Sequence, residues 1–178
     1  MKKVMLALVV LVSSNLISAQ DKKGTGDGQT VKDKWLIEAN TGFGSGVGTT
    51  SFGLVSEDGT TSWNVGAEAG YFVIDDLALK VGLGYGDDGS DLEGSSAFAY
   101  KIGAKYYIVS QFPVELSYNG VSIKDYDENP SYVGFQAGYA WFLSSTVSLE
   151  PGIRYNLSLN NDFYDDALQF NIGFALHF

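Results

Sequence analysis

The chain's single histidine, His177, is its only side chain with an unperturbed titration near neutral pH. A serine hydrolase needs such a ring beside a nucleophile and an acid, and Ser148 and Glu150 are residues of the right types at a comparable height. Spacing alone does not bring the serine to the ring, so His177 reads first as one residue of an alternating strand. Gly84-Tyr85-Gly86-Asp87-Asp88-Gly89 matches the glycine pattern of a dinucleotide site. That chemistry needs a helix N-terminus after the glycines to hold pyrophosphate, and two aspartates stand there instead, repelling phosphate. Asp125-x-Asp127-x-Asn129 opens like a calcium loop, but Pro130 replaces the turn glycine and Gln136 replaces the closing glutamate. The remaining candidates are eight charges: Glu38, Glu68, Glu115 and Glu150 against Lys80, Lys101, Lys105 and Arg154.

Those eight share a setting. From Trp35 onward the sequence alternates with a period of two and shows almost no helical period. Eight such segments follow one another, and the last is the clearest: Leu168, Phe170, Ile172, Phe174, Leu176 and Phe178 on one face, Gln169, Asn171, Gly173, Ala175 and His177 on the other. Short connections follow the second, fourth and sixth segments, at 74–76, 110–113 and 143–146; longer, acidic ones follow the odd-numbered segments. An even set of strands with short turns at one end and long loops at the other is the plan of a transmembrane β-barrel. The expected fold is all-β, an eight-stranded antiparallel up-and-down barrel over residues 34–178.

Three features turn the apolar face outward, toward lipid. The eight charges on the other face sum to zero, although the chain as a whole carries −10. An enclosed interior demands such balance and a soluble surface does not. The other residues of that face are mostly Gly, Ala, Ser, Asn or Gln, which leaves room for charged side chains in a narrow lumen. Aromatics gather at the two ends: Trp35, Tyr71, Tyr106, Tyr139, Trp141 and Phe178 at the short-turn end, and Phe43, Trp63, Tyr85, Phe98, Tyr100, Tyr118 and Tyr155 at the long-loop end. Two belts separated by aliphatic residues suit the two membrane–water interfaces.

With these features the chain resembles the small outer-membrane β-barrel proteins of the OmpA/OmpX type. The resemblance covers about residues 34–178 and includes an alternating last strand with a terminal aromatic, Phe170-x-Ile172-x-Phe174-x-Leu176-x-Phe178. It implies that this strand is what the outer-membrane assembly machinery reads, and that the barrel sits among outer-membrane lipid and lipopolysaccharide, as a monomer.

Composition agrees. The 178 residues suit one domain, and 22 Gly with 25 aromatics are too many for a disordered acidic chain. The absence of cysteine excludes disulfides, Cys-ligated metals and a thiol nucleophile. The acidity argues against nucleic acid. Lys2 and Lys3, the apolar run Val4–Val12 and the small residues before Ala19 form a cleavable export signal over 1–19, whose removal takes the charge to −12. Residues 20–33 read as a flexible polar linker. No cofactor and no metal are expected. The extracellular acids read as solvated loops, the alternative being divalent bridges to lipopolysaccharide phosphates. The expected function is non-enzymatic, structural or surface-interacting, with the lumen filled by the Glu/Lys/Arg network; the alternative is a narrow porin-like channel for small solutes or hydrophobic molecules.

Overall fold

A computed structural model describes residues 28–44, 53–57, 60–89, 96–124 and 128–178. The export signal over 1–19 and the linker residues 20–27 lie outside these, as do Asp91, Glu93, Asp125 and Asp127. The strands are β1 (Trp35–Gly44), β2 (Gly53–Glu57), β3 (Thr60–Ile74), β4 (Leu77–Asp87), β5 (Ser96–Ile108), β6 (Phe112–Ile123), β7 (Ser131–Gly138), β8 (Trp141–Phe142), β9 (Val147–Ser158) and β10 (Ala167–His177). All pair antiparallel, in the order β1-β10-β9-β7-β6-β5-β4-β3, and the β1–β3 pairing closes the ring. The result is an eight-stranded barrel.

Two of the ten strands are additions to the eight staves. β2 pairs only with the first residues of β3, from Gly53↔Asn64 to Glu57↔Thr60, extending that stave as a hairpin beyond the wall. β8 continues the β7 stave in the same register against β9 after a break at Tyr139 and Ala140, where the Tyr139 amide still donates to Pro151 O of β9 at 3.0 Å and the Ala140 amide donates to Gln111 O at 2.7 Å. The segment expected as one run from Val133 to Trp141 is therefore interrupted, although its alternation survives: Tyr139 and Trp141 are exposed and Ala140 is buried.

The pleat sorts the residues as their alternation demands. On β4, Leu79, Val81, Leu83 and Tyr85 are exposed and Ala78 and Lys80 are buried; β10 repeats the pattern with Leu168, Phe170, Ile172 and Phe174 outside. Exposed Val65, Ile102, Leu116 and Ile153 continue the band around the wall. An apolar surface of that extent is far beyond what a soluble monomer shows. The interior is inverted, with charges and carboxamides inside.

At the short-turn end the interior changes character. Leu36, Phe72, Tyr107, Ala78, Ala140 and Ala175 form a buried cluster with Phe142 packed against it. The first described residues lie against this floor. Gln29 and Thr30 are buried; Thr30 Oγ1 donates to Asp76 Oδ1 at 2.5 Å, the Asp76 amide to Thr30 O at 2.7 Å, and the Asp33 amide to Phe72 O at 2.9 Å. Residues 28–33, expected to belong to a flexible linker, are thus tied to the β3–β4 turn. Two of these three contacts are backbone bonds, which polar residues make as readily as apolar ones, so composition hid them.

Asp76 sits at a turn position with φ 66°, half-buried, and burial pushes its carboxyl above the usual range against hydrogen bonds from Thr30 and Ser110. A raised folded-state pKa means the folded form binds the proton more readily. Stability from this group therefore rises as pH falls through that pKa and declines as pH rises. Asp76→Asn, which tolerates the same positive φ, should flatten the dependence of the urea midpoint on acidic pH; an unchanged slope would remove Asp76 as its source.

Candidate functional site: a layer of ion pairs in the lumen

The eight expected lumen charges meet in one network, supplied by six strands: Glu38 from β1, Glu68 from β3, Lys80 from β4, Lys101 and Lys105 from β5, Glu115 from β6, and Glu150 and Arg154 from β9. Each side chain is 7% exposed or less. Lys80 Nζ is the hub, 2.8 Å from Glu38 Oε2, 2.7 Å from Glu68 Oε2 and 2.8 Å from Glu115 Oε2. Lys101 joins Glu68 at 2.8 Å and Glu115 at 2.6 Å. Lys105 joins Glu38 at 2.7 Å and Glu150 at 2.5 Å, and Arg154 Nη1 reaches Glu115 Oε1 at 3.0 Å. Every acid has a cation and every cation an acid, which is the condition for holding charges out of bulk water.

Polar shells flank the layer. Toward the long loops, Arg154 also donates to Asn156 Oδ1 at 2.9 Å, Gln136 Oε1 at 3.2 Å, Asn119 Oδ1 at 3.0 Å and Ser117 Oγ. Glycines make the space. A Cβ on Gly134 would overlap the Arg154 guanidinium, and one on Gly173 would stand 2.9 Å from Asn40 Oδ1 and 3.1 Å from Glu38 Oε1.

Toward the short turns, the structure brings together what spacing could not. Ser148 Oγ is 3.0 Å from His177 Nε2, and it donates to Glu150 Oε1 at 2.8 Å; the Tyr107 hydroxyl donates to the same oxygen at 2.9 Å. The three types of a hydrolytic triad are therefore in contact, but in the wrong order. In a triad the acid orients the imidazole and the imidazole takes the serine proton. Here the acid takes the serine's hydrogen bond, and is itself engaged by Lys105. Ser148 and His177 are both fully buried, and the ring lies against Phe72, Tyr107 and Phe142. The sequence did carry a signal for this floor: Leu36, Phe72 and Tyr107 are bulky exceptions on an otherwise small and polar face, all near short turns.

Among the described residues, the long-loop acids Glu128 and Asp166 have separate partners. Asp166 accepts from the Tyr155 hydroxyl and the Ser158 amide, each at 2.9 Å, and Glu128 accepts from Asn160 Nδ2 at 3.0 Å. Tyr164 donates to the Glu128 carbonyl at 2.8 Å, so the loops before β7 and β10 are joined. Among the described residues no group of three or more acids or histidines is placed to hold a metal.

The family of outer membrane protein beta-barrel domains matches residues 18–141, more than half of the chain. The chain belongs to that family. Its barrel is also similar to the N-terminal β-barrel domain of OprF from Pseudomonas aeruginosa, with TM-score 0.52, 14% identity, and 83% of this chain and 98% of that one covered. Neisserial surface protein A aligns with TM-score 0.49 and 15% identity over 88% of this chain and 100% of its own. At such identities the likeness is one of fold. No curated protein sequence matches the chain significantly. The apolar outer band of this outer-membrane barrel thus faces lipid, and the ion-pair layer lies in its lumen.

Proposed function

We propose that this outer-membrane barrel is a non-enzymatic structural or surface-interacting protein whose axis is blocked by the ion-pair layer. The observation that carries the reading is the Lys80 hub: one buried ammonium within 2.8 Å of three carboxylates from three different strands. Eight strands enclose a lumen that side chains can just fill, and neutral pairing lets the filling be charged. On this reading the short turns and the residue 28–33 segment face the periplasm, and the acidic loops face outward, among lipopolysaccharide.

The outward side chains of Phe170, Ile172, Phe174, Leu176 and Phe178 support recognition of β10 by the assembly machinery. The Trp35 and Phe178 backbones then exchange hydrogen bonds at 3.1 and 2.9 Å to join the first and last strands. The buried, inverted order of Glu150, Ser148 and His177 supports a structural role for all three. Planar-bilayer recording tests the axial block. The purified barrel should show no stable stepwise conductance, and a steady open channel in the unmodified protein would overturn the proposal in favour of a narrow porin.

A further inference from the structure

The three short turns share one plan and differ at their tips. Each begins at an exposed aliphatic residue: Ile74, Ile108 or Leu143. The residues that follow are Asp75-Asp76, Val109-Ser110 and Ser144-Ser145. Val109 is therefore the one apolar tip residue of the three turns, and it is 57% exposed. Its backbone conformation opposes that choice. The turn Ile108–Gln111 is closed by the Gln111 amide donating to Ile108 O at 3.1 Å, with φ 47° at Val109 and 58° at Ser110. Positive φ at both central residues suits Asn-Gly or Asp-Gly, and a β-branched residue resists it.

Neighbouring elements hold the turn in place. On the β3–β4 side, the Tyr107 amide donates to Asp76 O at 2.8 Å, and the buried Ser110 hydroxyl donates to the Asp76 carboxylate. On the β7 side, the Ala140 amide donates to Gln111 O and Gln111 Nε2 to the Tyr139 hydroxyl, each at 2.7 Å. Clamped from both flanks, the turn keeps Ser110 inside and Val109 outside. A strained residue fixed by its surroundings points to a use beyond folding.

What the tip adjoins is the lipid-facing wall. Ile108 and Phe112 are the last pair of the β5–β6 ladder and both are exposed. The Phe112 ring lies 5.4 Å from that of Tyr139, in the short-turn aromatic belt. From Tyr106 to Val114 the chain carries no charge, and the charges on either side of that run, Lys105 and Glu115, are buried in the lumen. An uncharged apolar surface thus continues from the wall over the tip. Aspartates end it at the β3–β4 turn, and serines at the β8–β9 turn.

We propose that the β5–β6 turn is a membrane anchor, with Val109, Ile108 and Phe112 seated among the phospholipid acyl chains of the leaflet on the short-turn side. The other two tips stand in water, so the barrel sits deeper on its β5–β6 side. Because the turn is rigid before it meets lipid, insertion orders little new. The anchor is independent of the axial block and of which end faces the periplasm, since it needs only the lipid-facing wall.

Paramagnetic broadening of the unmodified protein in phosphatidylcholine nanodiscs tests this. One probe is a lipid with a nitroxide high on its acyl chain, the other a charged, water-soluble gadolinium chelate. The Val109 methyl signals should lose at least about fivefold more intensity to the lipid probe, because hydrocarbon excludes the charged chelate. The Ser145 amide should show the reverse. Broadening of Val109 chiefly by the chelate, the result for an aqueous tip awaiting a protein partner, would overturn the anchor. So would protection from both probes, since only a second copy of the chain could then cover the residue. Val109→Asn accepts the positive φ and removes the aliphatic side chain. In that variant the amide at position 109 should become open to the chelate; if it stays as protected as before, the wall alone sets its depth and the tip is no anchor. Heat-modifiable migration verifies that the variant folded.

Discussion

Replacing Lys80 with methionine should destabilise the barrel by about 3–5 kcal/mol, the range for removing one partner from a buried charge cluster. The reason is geometric. The ammonium is fully buried and touches Glu38, Glu68 and Glu115, and the first two already oppose each other across the β1–β3 ladder. Without it the layer carries a net charge of −1 among side chains that are all buried. The readouts are the urea midpoint in vesicles and the temperature at which the fast-migrating folded band disappears. Adding Glu68→Gln restores neutrality, so the double variant should be more stable than Lys80→Met alone. Lys101→Ala should cost less, because the two acids Lys101 touches are also held by Lys80. Full stability in Lys80→Met would remove the hub from any account of this barrel.

The second large effect is expected from a glycine. Gly134→Ala adds one methyl where the Arg154 guanidinium already sits, between Gly134 and its partners on Glu115, Ser117 and Asn119. The guanidinium is the far end of a flexible chain, but its hydrogen bonds fix it, so it cannot yield without losing them. Overpacking of this kind costs about 1–3 kcal/mol. The diagnostic is non-additivity. In an Arg154→Met background the nearer obstacle is gone, leaving Asn156 Oδ1 at 2.9 Å, and Gly134→Ala should then cost clearly less by urea midpoint. Equal penalties in both backgrounds would mean that the methyl strains the β7 backbone and not the charge layer.

These effects show why the charges and the small residues had to be read together. The inner-face positions of all eight charges follow from alternation, because a strand's pleat leaves each side chain only two directions. Net neutrality on that face, against an acidic whole, pointed to enclosure. Which acid meets which base did not follow, since that depends on the stagger of strands far apart in sequence. Glu38 and Lys105, and Arg154 and Glu115, are partners only because the ring is closed. The same holds for Ser148 and His177, whose 3.0 Å contact no spacing rule anticipates.

Local pattern was least informative where backbone, not side chain, makes the contact. The Asp76–Thr30 and Asp33–Phe72 backbone bonds and the addition of β2 rest on amide–carbonyl pairing, which leaves no trace in hydropathy. The short β1–β3 ladder belongs with them. β1 alternates as cleanly as its neighbours, and nothing in its residues announces that its pairing with β3 ends at Glu38.

By itself, then, the sequence determined the strand count of the wall, its inside and outside, the depth of the aromatic belts and the neutrality of the lumen. Each is a period-two property, set by which residues lipid, interface and enclosed space tolerate. Tertiary structure alone decided that Lys80 is the hub, that Ser148 donates its hydrogen bond to Glu150, and that the ring closes through the Trp35–Glu38 ladder of β1 with β3. Those are matters of register and closure, and they are fixed only when all eight staves are placed around one axis.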